Sequence, residues 1–548
     1  MKKIWLEHYP NKVASKISEL NFESIVDLVD HASEKYSKQV AFHNLNSNMS
    51  YSETSKYSKR FSSYLRNELN ISKESNIAIM LPNLLSFPIS FLGSLRTGAK
   101  VINLNPLFTS RELRDILVDS QADTIIVLDR FLNELEQILT DTKIKNVIVC
   151  KPYDLLSIVM KPIVKMVLFF KKQTRNHNKK YILFTELINY TKESLEVTIK
   201  RDDIALLQYT GGTTGGSKAA LLSHKNLVAN VQQLESWVDS IICEGEEVII
   251  TALPLYHIFS LTVNFLYFFK IGAKNILITN PRDIKNFIKV LEKNRFTVIT
   301  AVNTLFNLLL TSSKFKKINF NSLKFSVGGG MAVLESTSKK WKKFTGCEIT
   351  QGYGLTETSP IVTVNPVDEG FNGSIGLPLP STDISIRDEE DKELDINEPG
   401  ELCVKGPQVM TSYWNKPEET KNAFTKDGYF KTGDIAKIRD NGYIEIVDRK
   451  KDMIISSGFN VYPNEIEEYV SNYEGVHECG VVGKPDSNRG EMIILYVVKD
   501  KENLSESDIA EFCKKGLTIY KQPKKIIFID EIPKNNVGKI LRRKLRDL

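Results

Sequence analysis

One run near the middle of the chain constrains it more than any other: Leu207-Gln208-Tyr209-Thr210-Gly211-Gly212-Thr213-Thr214-Gly215-Gly216-Ser217-Lys218. Its glycines let the backbone approach a ligand closely and turn N–H groups inward. Two adjacent threonine hydroxyls and a lysine add donors and charge. Those are the needs of a polyphosphate, which offers many acceptor oxygens and spread negative charge. A plain loop is the alternative, and it leaves Thr-Thr and Lys without purpose. The run is not a Walker A loop: counting from Gly211, the second glycine falls at Gly216, but Ser217 stands where the lysine is needed. Nor does a helix follow at once. Ala219-Ala220-Leu221-Leu222 is short and apolar, Ser223 reads as an N-cap, and a helical stripe then begins at Leu227, Val231, Leu234 and Val238.

The flanking sequence reads as α/β. Ile77-Ala78-Ile79-Met80-Leu81 and Thr124-Ile125-Ile126-Val127-Leu128 are strand candidates, with a helix predicted over 87–95 between them. Ile204-Ala205-Leu206-Leu207, Glu247-Val248-Ile249-Ile250 and Thr297-Val298-Ile299-Thr300 continue the pattern, which predicts mainly parallel sheets. From about 375 to 447 the texture turns to short β-rich pieces, with Asn441-Gly442 marking a hairpin. The charged run Asp448-Arg449-Lys450-Lys451-Asp452 then separates a last segment of about 100 residues. With 548 residues and 42% hydrophobic composition the chain can bury a large core, and its net charge of +6 is too dilute to imply nucleic acid. Six cysteines stand singly, without a CxxC pair, which favours reduced thiols over a metal or disulfide framework. The first residues lack the apolar stretch of a signal peptide, and no run reaches the ~18 apolar residues that span a bilayer. The chain is therefore expected on the cytoplasmic side of the membrane.

The glycine-rich run resembles the phosphate loop of the adenylate-forming superfamily, departing from it at Ser217 and Ala219. Other motifs of that superfamily follow in order. They are Pro254-Leu255-Tyr256-His257-Ile258-Phe259, Gly328-Gly329-Gly330-Met331, Gln351-Gly352-Tyr353-Gly354-Leu355-Thr356-Glu357, Lys431-Thr432-Gly433-Asp434, the 448–452 run, Ser457-Gly458-Phe459-Asn460-Val461-Tyr462-Pro463, and Pro533-Lys534-Asn535-Asn536-Val537-Gly538-Lys539. The stretch 427–451 is similar to the signature of fatty-acyl-CoA ligases. The opening residues and Ile278-Thr279-Asn280-Pro281-Arg282-Asp283 extend the likeness to bacterial long-chain fatty-acid–CoA ligases. The resemblance implies a large N-terminal domain over 1–447 with parallel sheets and a distorted β-barrel portion, a hinge at 448–451, and a small α+β lid over 452–548.

The resemblance also implies roles. ATP would lie against Tyr209, Thr210, Gly211, Gly212, Thr213, Thr214, Gly215 and Lys218, with Gly330, Gln351, Gly352, Tyr353, Gly354, Thr356 and Gly458 completing the nucleotide pocket. Tyr353 would pack on adenine and the Thr356 hydroxyl would contact the α-phosphate. Glu357 and Thr213 would hold Mg²⁺, a hard cation that suits one or two carboxylates beside phosphate oxygens. Taken alone, Glu357 would read as a solvated surface residue. Asp434 would accept from the ribose hydroxyls with Arg449 beside it; an Asx-turn acceptor is the plainer reading of Asp434. Lys539 would neutralise charge developing between carboxylate and α-phosphate, although its basic surroundings also fit a solvated face. His257 would gate entry of the thiol, although its apolar neighbours taken alone favour a packed core histidine. The apolar runs 261–269 and 302–310 could line an acyl tunnel or simply fill the core.

Residues 151–184 stand apart. The stretch 151–185 carries eight Lys or Arg against one acidic residue, Asp154, interleaved with Ile163, Val167, Leu168 and Phe170. Such a segment fits a helix lying in a membrane interface, or a core helix followed by a basic loop. The first reading makes the protein peripheral, at the cytoplasmic face of the membrane. The expected reaction joins a long-chain fatty acid to CoA through an acyl-adenylate, releasing AMP and pyrophosphate. Loading a carrier protein in place of CoA, a Walker-type ATPase, and a membrane-binding protein without catalysis remain as alternatives, and a homodimer is left open.

Overall fold

The computed structural model describes residues 3–170, 181–210, 218–367, 369–456, 459–486, 490–500, 502–534 and 540–548. Of the residues singled out above, 211–217, 457–458 and 535–539, which include Gly211, Gly212, Thr213, Thr214, Gly215, Gly458 and Lys539, lie outside the described residues, as do residues 171–180 of the basic segment.

Among the described residues, alternating apolar strands and amphipathic helices assemble two large sheets. A seven-stranded sheet runs Ile182–Leu183, Asn146–Cys150, Thr124–Leu128, Asn76–Met80, Lys100–Asn103, Ile204–Thr210, Lys218–Ser223. All its neighbours are parallel except the last pair, which is antiparallel. The strands Asn76–Met80 and Thr124–Leu128 are buried at every position, as strands covered on both faces must be. A nine-stranded sheet has a parallel centre made of Val40–Asn44, Lys274–Leu277, Val248–Thr251, Val298–Ala301, Phe325–Gly328 and Ile349–Gly354. Its edges are antiparallel, with Ser47–Ser50 at one end and Ile361–Val364 and Leu377–Pro378 at the other. Active sites of such sheets lie beyond the carboxyl ends of the strands. Both glycine motifs emerge there: Thr210 ends one strand and Gly328 another.

The turn-rich region folds as a four-stranded antiparallel sheet of Asp383–Arg387, Gly400–Lys405, Phe430–Ile438 and Ile444–Arg449. Register shifts bend two of its pairings, and an isolated bridge between Gly376 and Ile444 joins it to the edge of the nine-stranded sheet. The Asn441-Gly442 hairpin is present, with Gly442 at φ +76° and a would-be Cβ only 2.5 Å from the Trp5 backbone. Ser223 caps the helix His224–Val238 by accepting from the Asn226 N–H, as its sequence suggests.

Beyond Lys451 the chain builds a different unit. Strands Ile454–Ser456, Phe459–Val461, Val476–Asp486, Gly490–Lys499 and Lys525–Phe528 form one mixed sheet, with Pro463–Ser471, Glu506–Gly516 and Arg542–Asp547 as helices. Its core has its own side chains, including Ile454, Ile466, Val481, Leu495 and Ile509. Among the described residues, no helix is long and apolar enough to cross a membrane.

The helix Met160–Phe170 has no buried residue, which removes the core-helix reading of this segment. Phe169 and Phe170 are 68% and 75% exposed, and only the inner edge, Met160 and Val164, touches the core.

Candidate active site

Ile349–Gly354, the last strand of the parallel run, delivers the Gln351-to-Glu357 motif to the sheet end, where a single turn, Thr356–Thr358, follows it. Gly354 is required by packing: a Cβ there would sit 1.9 Å from the Pro360 carbonyl oxygen. Gln351 is buried and accepts from the Val333 N–H at 3.1 Å, so its side chain braces the loop after Gly330. Gly330 itself has φ +78°, the left-handed region that glycine enters without strain. Phe259 packs on this loop, 3.0 Å from where a Gly329 Cβ would be. The His257 loop thereby reaches the second glycine motif.

The four-stranded sheet supplies the opposite wall. Asp434 and Arg449 face each other in register on adjacent antiparallel strands. Their side chains form an ion pair at 2.7 Å. The Tyr353 hydroxyl donates to the other Asp434 oxygen at 2.5 Å. Gly433, at φ +71°, turns the backbone so that Asp434 enters the site, and the Thr432 hydroxyl accepts from the Asp434 N–H at 3.1 Å. Burial is the largest single influence and works against the Arg449 charge, but Asp434, Tyr353, Asp452 and Glu357 together hold the guanidinium pKa above its ordinary value. Tyr353 is pushed up by burial and then by the Asp434 charge, so its phenol stays protonated and donating.

Glu357 lies on the same side. Its carboxylate accepts from the Tyr413 hydroxyl at 2.8 Å, and its carbonyl accepts from the Met410 N–H at 2.7 Å. It keeps a partly open face, yet packing around the carboxyl removes most of its hydration. Burial pushes its pKa up, against the pull of Tyr413 and Arg449. The Lys218 ammonium sits over the Tyr413 ring, 5.3 Å from its centre. Thr210 and Lys218, the two stems of the glycine-rich run, are paired residues of one antiparallel ladder. The Tyr209 hydroxyl donates to Asp119 at 2.5 Å. His257 also keeps an edge to solvent, but burial of the rest pushes its pKa down to about 4. The ring is neutral near pH 7, and Nδ1 accepts from the Phe259 N–H at 3.3 Å.

The site therefore brings together Tyr353, Thr356, Glu357, Asp434, Arg449 and Lys218, with Gln351 and Gly330 in support. Tyr413, Asp119 and Trp414 were not expected. Each is a lone residue without periodicity or motif spacing, and only the tertiary fold carries it to the site.

At the end of Ile444–Arg449 the second charged cluster begins. Asp448 accepts from the Asn464 N–H at 2.8 Å. Arg542 donates to both Glu467 oxygens at 2.8 Å, to Asn464 Oδ1 at 2.8 Å and to the Val481 carbonyl at 3.3 Å. Arg546 pairs with Asp452 at 3.2 Å. Burial raises Asp448 to about 6 and Glu467 to about 7, with Arg542 opposing in both cases.

Comparison with known proteins agrees with this architecture. Residues 29–414 match the AMP-binding enzyme family and residues 465–539 match the AMP-binding enzyme C-terminal domain. The chain is 44% identical to a long-chain-fatty-acid–CoA ligase of Escherichia coli O6:H1, an alignment covering 100% of this chain and 98% of that one. It is 33% identical to the long-chain-fatty-acid–CoA ligase of Bacillus subtilis over 99% of this chain and 98% of the relative. Among solved structures, ATP-bound MatB from Rhodopseudomonas palustris superposes with a TM-score of 0.83 at 28% identity, covering 95% of this chain and 98% of that one.

Proposed function

The chain belongs to the AMP-binding enzyme family, and from that premise we propose that it is a long-chain fatty-acid–CoA ligase driven by ATP. In the first step a fatty carboxylate oxygen attacks the α-phosphorus of ATP, and pyrophosphate leaves. In the second, the CoA thiol gives up its proton and its sulfur attacks the acyl carbonyl, releasing AMP. The observation that carries the reading is full-length identity to bacterial long-chain-fatty-acid–CoA ligases combined with the Tyr353–Asp434–Arg449 cluster beside Glu357.

Asp434 is the ribose anchor in this reading. Arg449 fixes its orientation, and the Tyr353 ring offers a face to the base. Lys218 meets phosphate charge at the exit of the glycine-rich run, and Lys539, outside the described residues, supplies the second cation. Mg²⁺ is assigned to Glu357, with Thr213 as its partner from the sequence pattern. When bound it would neutralise phosphate charge, and a partly desolvated carboxylate held by one hydroxyl is chemistry that suits it. Among the described residues, no group of three or more His, Cys, Asp or Glu forms a dedicated metal cage. A cation arriving with the phosphates needs none.

Product analysis with ATP, CoA and a ladder of fatty acids tests the reading. AMP, pyrophosphate and acyl-CoA are expected. ADP and phosphate would overturn it, and transfer to a phosphopantetheinylated carrier in preference to CoA would replace it with the carrier-loading alternative.

We further place the protein peripherally at the cytoplasmic membrane face through residues 151–184. The exposed apolar side of Met160–Phe170, with Lys161 and Lys165 on the same helix, fits an acyl boundary beneath anionic headgroups. Replacing Lys171, Lys172, Lys179 and Lys180 by Glu should lower co-sedimentation with anionic vesicles and spare activity on a short soluble acid. Unchanged co-sedimentation would remove the assignment.

A further inference from the structure

The five residues Met410-Thr411-Ser412-Tyr413-Trp414 belong to no regular element, yet they touch the exit stem of the glycine-rich run and Glu357 directly and the entry stem through Asp119. At the exit stem of the glycine-rich run, the Trp414 N–H donates to the Ala219 carbonyl at 2.9 Å and the Leu221 N–H donates to the Ser412 carbonyl at 3.0 Å. Tyr413 forms a β-bridge with Ala220 between them. At the entry stem the link is indirect: Asp119 accepts from Tyr209 through its carboxylate at 2.5 Å and from the Trp414 indole N–H through its carbonyl at 3.0 Å. On the acidic side, Met410 and Tyr413 both bond Glu357. Tyr413 is itself fixed by its N–H, which donates to the Thr420 hydroxyl at 2.9 Å.

Tyr413 has a particular place in this arrangement. Its hydroxyl faces the Glu357 carboxylate and its ring face carries the Lys218 ammonium. A cation and a carboxylate seated on the same tyrosine attract each other. If they closed into a direct ion pair, neither would be free to meet a phosphate or its counter-ion. A tyrosine between them satisfies each separately. The phenol donates a charge-assisted hydrogen bond to the anion, and the ring quadrupole holds the cation.

We propose that Tyr413 is a positioning residue for the adenylation step, keeping Glu357 and Lys218 apart and aimed at ATP while the 410–414 segment ties both stems of the glycine-rich run into one unit. The proposal rests on the ligase reading and deepens it. Its consequence is asymmetric, because the phosphate groups take part when the acyl-adenylate forms, and pyrophosphate has gone before the thioester forms.

The test separates the two half-reactions in Tyr413→Phe and Tyr413→Leu. The readouts are single-turnover acyl-adenylate formation, ATP affinity by equilibrium dialysis, thioester formation from presynthesised acyl-adenylate and CoA, and melting temperature. Tyr413→Phe keeps the ring and loses the hydroxyl, so adenylation should slow roughly tenfold, the scale of one hydrogen bond to a charged group. Its ATP affinity should stay within about twofold of the native protein. Tyr413→Leu also removes the seat of Lys218, and ATP affinity should then fall as well. Thioester formation from ready-made adenylate should change by less than about twofold in either variant. Unchanged adenylation in Tyr413→Phe would overturn the proposal, as would equal loss in both half-reactions accompanied by a lower melting temperature. If Tyr413→Leu does not fold, the Tyr413→Phe comparison still decides. A native protein that makes no acyl-CoA would instead overturn the ligase reading itself.

Discussion

The nucleotide pocket and the cluster after Asp448 are both made of paired charges, yet they are built in opposite ways. In the pocket, Asp434 and Arg449 are neighbours in an antiparallel ladder, and neutral hydroxyls complete the set. Strand register sets the two Cα atoms opposite each other, so the pair is held side by side by the ladder. In the second cluster, one guanidinium, Arg542, gathers Glu467 and Asn464 from a helix and the Val481 carbonyl from a strand, with Arg546 and Asp452 alongside. Buried and bonded to all three groups, Arg542 ties those separate elements together. The first arrangement fixes a template in the large unit; the second anchors the connecting residues Asp448 and Asp452 to the buried interior of the small unit.

The largest effect should come from removing the centre of the second cluster. Arg542→Ala leaves Glu467 and Asp448 buried without their main cation, a change that costs roughly 3–5 kcal/mol when one partner of a buried pair is deleted. Calorimetry should show residues 454–548 unfolding in an earlier, separate transition, with the pocket intact by ATP-induced stabilisation of the later one. A single transition lowered as a whole would mean that the two regions are not independent.

Lys539→Ala should come next, cutting acyl-adenylate formation by roughly 10²-fold, the scale of losing one preorganised charge donor. Thioester formation from presynthesised adenylate should persist. If forward adenylation barely changes, the lysine is solvated charge and the pocket is complete without the small unit.

Lys451→Pro addresses the joint itself. Lys450 and Lys451 form the turn between the strand ending at Arg449 and the one beginning at Ile454. Proline fixes φ there. Thioester formation should fall about tenfold with adenylation spared, as the gating role of such a joint requires. Equal loss in both half-reactions would remove the hinge assignment at 448–451.

Much of this was legible in the sequence, for identifiable reasons. Apolar runs such as 124–128 and the Asn441-Gly442 turn are local signals, and local signals survive folding. Asp434 and Arg449 stand out through the motifs that carry the family resemblance, Asp434 also through the Thr432-Gly433 turn before it. Tyr413, Asp119 and Trp414 do not, because their meaning comes from contacts separated by 56, 90 and 295 positions. The surface helix shows the complementary limit. Its period and charge fitted burial and exposure alike, and only the exposure of most of Met160–Phe170, with no residue of it fully buried, decided between them.

The smallest effect separates the two regions by the sign of their response to pH. In the large unit, His224 is buried, with Nδ1 accepting from the Ile25 N–H at 3.2 Å. Burial depresses its pKa from 6.5 to about 4, as it does for His257. Between those values the unfolded chain binds more protons, so this contribution is full above about pH 6.5 and is lost as pH falls toward 4. In the second cluster burial raises Glu467 from 4.5 to about 7 and Asp448 from 3.8 to about 6. There the folded form binds more protons, so stability falls as pH rises through that window. Asp154, raised to about 6 in the large unit, opposes the histidines, which makes the difference between variants the cleaner readout. From pH 4.5 to 6.5, His224→Gln should flatten the upward drift of the later calorimetric transition, and Glu467→Gln should flatten the downward drift of the earlier one. Slopes of the same sign in both transitions, unchanged by either substitution, would show that the charges of the pocket side and of the joint answer to one environment rather than two.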